Sequence, residues 1–136
     1  MQGGATVASN TGNGIQIFAG GSVGVRQGGI IQSNTANGIY LESGDVTVGD
    51  VLGPATIQGN GQNGIFMRTN SVAKFNNSGN QIINNTNWGI LCAASPANPL
   101  IFGTVGNVSG NGSGQIGCRT SPTPAGLLST AEPAGD

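Results

Sequence analysis

The sequence has no histidine, only 4 Lys or Arg and 5 Asp or Glu, and 4% aromatic residues in 136. Each shortage excludes something. Without histidine, proton transfer near neutral pH would fall to a handful of carboxylates, which weighs against an enzyme. Four cations against five anions leave no basic footprint for nucleic acid and no basic amphipathic helix for a membrane surface. No apolar run approaches the roughly 18 residues of a membrane-crossing helix, so no membrane insertion is expected. No charged-then-apolar leader is visible, so the signal of an exported protein is expected outside this chain. With 2 Cys and no His, a zinc site lacks ligands, and no metal or cofactor is expected. Low charge, a net charge of -1 and 36% hydrophobic residues do not fit a disordered chain.

Glycine, by contrast, is abundant at 26 residues, and it accompanies a repeat. Asn10-Thr11-Gly12-Asn13-Gly14-Ile15 returns as Asn34-Thr35-Ala36-Asn37-Gly38-Ile39 and Asn60-Gly61-Gln62-Asn63-Gly64-Ile65. Looser copies are Asn85-Thr86-Asn87-Trp88-Gly89-Ile90 and Asn111-Gly112-Ser113-Gly114-Gln115-Ile116. The leading Asn advances by 24, 26, 25 and 26 residues, a period of about 25.

Three columns accompany that Asn. The residue three before it is Val7, Ile31, Ile57, Ile82 or Val108. Five after it stand Ile15, Ile39, Ile65, Ile90 and Ile116, and seven after it Ile17, Leu41, Met67, Cys92 and Cys118. The last two columns alternate with a residue of mixed character, the period of a strand with one buried face. The spacing predicts about three strands per repeat, hence an all-β, single-stranded parallel β-helix of about five coils over residues 1–119. Residues 120–136 break the repeat and are expected to be a mobile or capping tail. Strands are expected at Ile15 to Phe18 and its copies, at Ser22 to Val25, Asp45 to Val48 and Ser71 to Phe75, and at Gly29 to Ser33 and Ala55 to Gln58. Asn10, Asn34, Asn60, Asn85 and Asn111 would stack as a hydrogen-bonded ladder, and Gly14, Gly38, Gly64 and Gly89 would take positive-φ corners.

The N-x-x-N-G-I turn, the period and the apolar columns resemble right-handed parallel β-helix proteins of the pectin-lyase-like superfamily, from about Ala5 to Arg119. The resemblance implies a right-handed coil. For the polysaccharide hydrolases of that fold it implies several acidic residues gathered on one strand face, and for the lyases acidic calcium ligands combined with a basic residue. Here Glu42 projects outward from the first strand while Asp45 and Asp50 flank the second, so no converging carboxylate pair is indicated and no catalytic residue is assigned.

Cys92 and Cys118 share an inward column; buried free thiols are the first reading and a disulfide the alternative. Outward, Tyr40, Phe66 and Leu91 form an apolar stripe that Trp88 would extend, with Glu42 and Arg68 as an ion pair between neighbouring rungs. Either a bulge or a register slip is expected where Lys74 would otherwise point inward. Ala94 to Pro99 forms an insertion suited to a functional loop.

The expected function is that of a structural or adhesive β-solenoid, extracellular or at the cell surface, whose partner is a second copy of itself. The alternative is a polysaccharide-binding or polysaccharide-processing module. The stripe, with Glu42 and Arg68, would be the ligand face or the interface.

Overall fold

The computed structural model describes residues 1, 3–93 and 99–118. Its fourteen strands are β1 (Thr6–Ala8), β2 (Ile15–Ile17), β3 (Ser22–Val25), β4 (Ile30–Gln32), β5 (Ile39–Leu41), β6 (Asp45–Val48) and β7 (Thr56–Gln58), followed by β8 (Ile65–Met67), β9 (Val72–Asn76), β10 (Gln81–Ile83), β11 (Trp88–Cys92), β12 (Leu100–Thr104), β13 (Asn107–Ser109) and β14 (Gly114–Gly117). Every third strand joins the same sheet. β1-β4-β7-β10-β13 form sheet A, β2-β5-β8-β11-β14 sheet B, and β3-β6-β9-β12 sheet C. All ladders are parallel, and the chain winds as an all-β solenoid of about four turns.

The repeat columns explain the winding. Ile31, Ile57 and Ile82 from sheet A, Ile39, Ile65 and Ile90 from sheet B, and Leu41 and Met67 beside them are all buried in one continuous core. A three-residue strand exposes one face and buries the other, so no coil can cover its apolar side alone. Stacking supplies the cover, with Ile39 beside Ile15 and Ile65, and Ile57 beside Ile31 and Ile82.

Several expectations need correction. Gly14, Gly38, Gly64 and Gly89 do not occupy positive-φ corners. A Cβ on Gly38 would lie 2.7 Å from the Gly64 carbonyl oxygen and 2.8 Å from Asn60 Nδ2, so glycine is required there by close approach. The left-handed position of that corner is instead the residue before the ladder Asn: Ser9, Ser33, Gly59, Asn84 and Gly110, with φ between 55° and 69°.

The Lys74 question resolves as a register shift of one residue. Val72 pairs with Asp45 and Ala73 with Val46, which turns Lys74 out and buries Phe75 beside Val48. The strand accordingly begins at Val72, not Ser71, and Ser71 is buried in the preceding turn, where its hydroxyl donates to the Leu41 carbonyl at 3.1 Å. Among the described residues Phe75 is the one aromatic ring wholly inside the coil. Its partner in the next rung, Gly103, adds no side chain to that column. The tail at 120–136 lies outside the described residues, as does all of the Ala94 to Pro99 insertion but its last residue.

Candidate functional site

The corner between sheets A and B carries two amide ladders. In the first, Asn10 Nδ2 donates to Asn34 Oδ1 at 2.8 Å, Asn34 to Asn60 at 3.0 Å, Asn60 to Asn85 at 2.9 Å and Asn85 to Asn111 at 2.9 Å. Each accepting oxygen also takes the main-chain N–H of the donating Asn, which fixes the amide orientation. The second ladder stands three residues further on and was hidden in the N-x-x-N spacing. There Asn63 Nδ2 donates to Asn37 Oδ1 and Asn37 Nδ2 to Asn13 Oδ1, both at 2.9 Å.

The two ladders run in opposite directions. The first donates toward the C-terminal coil and the second toward the N-terminal coil, so their amide dipoles oppose one another. Asn34, Asn37, Asn60, Asn63, Asn85 and Asn111 are buried. Among the described residues no buried side-chain nitrogen or oxygen lacks a partner. A buried amide without a partner would cost about 1–3 kcal/mol, so the ladders satisfy one another as they stack.

The ladders also end differently. Asn111 Nδ2 finds no further Asn and donates to Gln115 Oε1 of its own coil at 2.8 Å. In the second ladder Trp88 replaces the next Asn, and only its main-chain N–H reaches Asn63 Oδ1, at 3.0 Å. The indole ring lies over Gly114, where a Cβ would collide with Cζ3. Trp88 therefore covers the last coil and does not stack on the other aromatic rings.

Cys92 and Cys118 form a disulfide, with Cα atoms 4.7 Å apart, and the reading as free thiols is overturned. The physical reason is register. Equivalent inward positions of successive rungs are about one strand spacing apart, within reach of a cystine.

On the outer face of sheet B, Tyr40 and Phe66 are register partners, as are Phe66 and Leu91. Tyr40 and Phe66 meet edge to face, centroids 5.7 Å apart at 69°. Phe18, which the repeat columns did not single out, extends the stripe: its ring is 6.1 Å from Tyr40 and tilted by 55°. At 53% exposed it is the open end of the row, and the half-buried Leu91 continues the other end. Its signal in the sequence was its place in the same column as Glu42 and Arg68.

Arg68 Nη1 donates to the Tyr40 hydroxyl at 3.3 Å. That hydrogen bond, then the charges of Tyr40 and Glu42, hold the Arg68 pKa above the ordinary arginine value. The expected Glu42–Arg68 contact is thus a longer-range attraction, with the hydroxyl as the near partner.

A second exposed apolar feature went unread in the sequence. Val51 and Leu52, 93% and 74% exposed, sit at the tip of a turn between β6 and β7. Asp50 Oδ1 accepts from the Leu52 and Gly53 N–H groups at 2.9 and 3.1 Å, and Asn77 Nδ2 donates to the Asp50 carbonyl at 2.8 Å. The signal was Asp50 and Gly53 at the first and last places of a four-residue turn.

No protein family, curated protein or solved structure matches this chain.

Proposed function

We propose that this chain is a non-catalytic structural or adhesive β-solenoid, either a part of an extracellular or surface assembly or a self-associating subunit. Its coil is taken to be right-handed, since parallel crossover connections are right-handed in about 98% of cases, and of the pectin-lyase-like kind on the likeness of its N-x-x-N-G-I turn and period of about 25 residues. The observation that carries the reading is the pair of opposed amide ladders. The side chains that recur at fixed places serve to bind coil to coil, the chemistry of a shaft. The disulfide supports an oxidising compartment, where cystines form and persist. The low charge supports association, because little repulsion opposes it.

Light scattering over a wide concentration range tests the reading, with an average mass rising above 13.4 kDa expected. A strict monomer at every concentration would remove self-association and leave only the role of a part in a larger assembly.

Polysaccharide binding is the second reading, favoured by the exposed Phe18 ring beside Tyr40, Arg68 and Glu42. The tilt of 55° and 69° between rings counts against it, because rings interlocked edge to face do not present one flat platform to a sugar.

A further inference from the structure

The outer face of sheet B carries a second column beside the aromatic stripe. The Glu42 N–H bonds to the Ile17 carbonyl, the Arg68 N–H to the Leu41 carbonyl and the Ala93 N–H to the Met67 carbonyl. Phe18, Glu42, Arg68 and Ala93 therefore stand in register, one per coil, just past the strand ends. Phe18 and Arg68 are exposed, and Glu42 and Ala93 are partly so. Tyr40 and Phe66, two residues before Glu42 and Arg68, lie alongside.

This column complements itself when its order is inverted. In one direction it runs large, negative, positive, small; in the other it runs small, positive, negative, large. Within one chain the two charges do not close into an ion pair. Arg68 donates to the Tyr40 hydroxyl at 3.3 Å and feels Glu42 only through its charge. A guanidinium has five donors, so most of those of Arg68 remain for a carboxylate from outside.

We propose that this face of sheet B is the contact surface of a closed dimer in which two copies of the chain pack face to face with their solenoid axes antiparallel. The inference rests on the self-association reading above and adds the face, the orientation and the closure. A two-fold axis along the strand direction, midway between β5 and β8, inverts the order of the coils and keeps each column opposite itself. Glu42 of each copy then faces the partner's Arg68, and Tyr40 faces the partner's Phe66. The exposed Phe18 ring meets the partner's Ala93, whose small side chain leaves room for it. Each contact occurs twice, as a two-fold interface requires, and the face is used up at two chains. The other face-to-face arrangement, with the axis along the solenoid, sets each coil against its own copy. It opposes Glu42 to Glu42 or to no charge at all, so the charges choose the antiparallel packing.

Sedimentation equilibrium on the full chain tests this by exchanging charges. The parent is expected to plateau at twice its 13.4 kDa mass. Glu42→Arg and Arg68→Glu each set like charges against one another at both contacts, and each is expected to weaken dimerisation at least about ten-fold. An equimolar mixture of the two variants restores both opposite pairs and is expected to dimerise like the parent, as is the chain that carries both substitutions. Damage within one chain is not repaired by adding another, so recovery on mixing reports contact between copies. Circular dichroism of each variant confirms that the strands persist. A dimer indifferent to both single variants, variants that do not recover when mixed, or growth past two chains would overturn the interface while leaving self-association intact. A parent that stays monomeric would overturn both, and its retention on immobilised glycans would assign the face to a sugar instead.

Discussion

Asn85 Oδ1 accepts two hydrogen bonds from Asn60, one from the main-chain N–H at 3.0 Å and one from Nδ2 at 2.9 Å. Both donors are buried in a coil where no water can replace the lost oxygen. Asn85→Leu is therefore expected to destabilise the fold by about 2–6 kcal/mol, two stranded donors at about 1–3 kcal/mol each. Asn10→Leu removes an exposed end of the same ladder and is expected to cost a fraction of that. Urea titrations of the two variants give the comparison; equal midpoints would mean that the ladder is ornament and not cohesion.

Much of this was legible because a repeat reports the same decision several times over. The inward columns at Ile39 and Ile57, the strand positions and the first ladder followed from spacing alone. Positions that depend on the neighbouring coil were not legible. Gly38 looks like a turn glycine in sequence, yet its need arises from the Gly64 carbonyl oxygen, 26 residues on. The shift that buries Phe75 depends on turn length, with three residues between Leu41 and Asp45 and four between Met67 and Val72. Composition could not choose between thiols and a cystine for Cys92 and Cys118; only register decides that.

Close approach at Gly38 carries its own test. A methyl group there meets the Gly64 oxygen at 2.7 Å and Ile57 Cγ2 at 2.8 Å, with backbone and core on both sides and little room to yield. Gly38→Ala is expected to cost about 1–3 kcal/mol through overpacking. At Gly12 nothing lies within 4 Å and φ is not in the left-handed region, so Gly12→Ala is expected to change stability by no more than about 0.5 kcal/mol. Thermal melts of both proteins check this: equal effects at the two positions would rule out close approach as the reason for glycine at Gly38, since backbone entropy alone favours alanine at both.

The cystine closes a loop of 26 residues that contains β12, β13 and β14, the end of the coil. Loop-closure entropy for that length corresponds to about 3.5 kcal/mol. Reduction, or the Cys92→Ala/Cys118→Ala pair, is expected to lower stability by about that amount and to open the last coil first. Hydrogen exchange is the direct readout: amides of Asn107–Gly117 are expected to exchange faster on reduction while those of Ile39–Gln58 hold. Uniform acceleration along the chain would mean that the staple secures the whole solenoid and not its end.

Tyr40 stands between Phe18 and Phe66, so Tyr40→Ala removes two aromatic contacts and is expected to cost about 1–3 kcal/mol. Tyr40→Phe keeps both rings in place and loses only the hydroxyl that Arg68 reaches. The Arg68 pKa is raised, so what the folded state gains from its charge is fully present below the ordinary arginine value and lost only as the pH climbs through the raised one. The gap in melting temperature between Tyr40→Phe and the parent is therefore expected to be the same at pH 5 and pH 8. If the stripe serves cohesion, Tyr40→Ala and Phe66→Ala lower the melting temperature and leave retention on immobilised glycans at the parent's level. A variant that melts like the parent but loses glycan retention would move the stripe from scaffold to binding face.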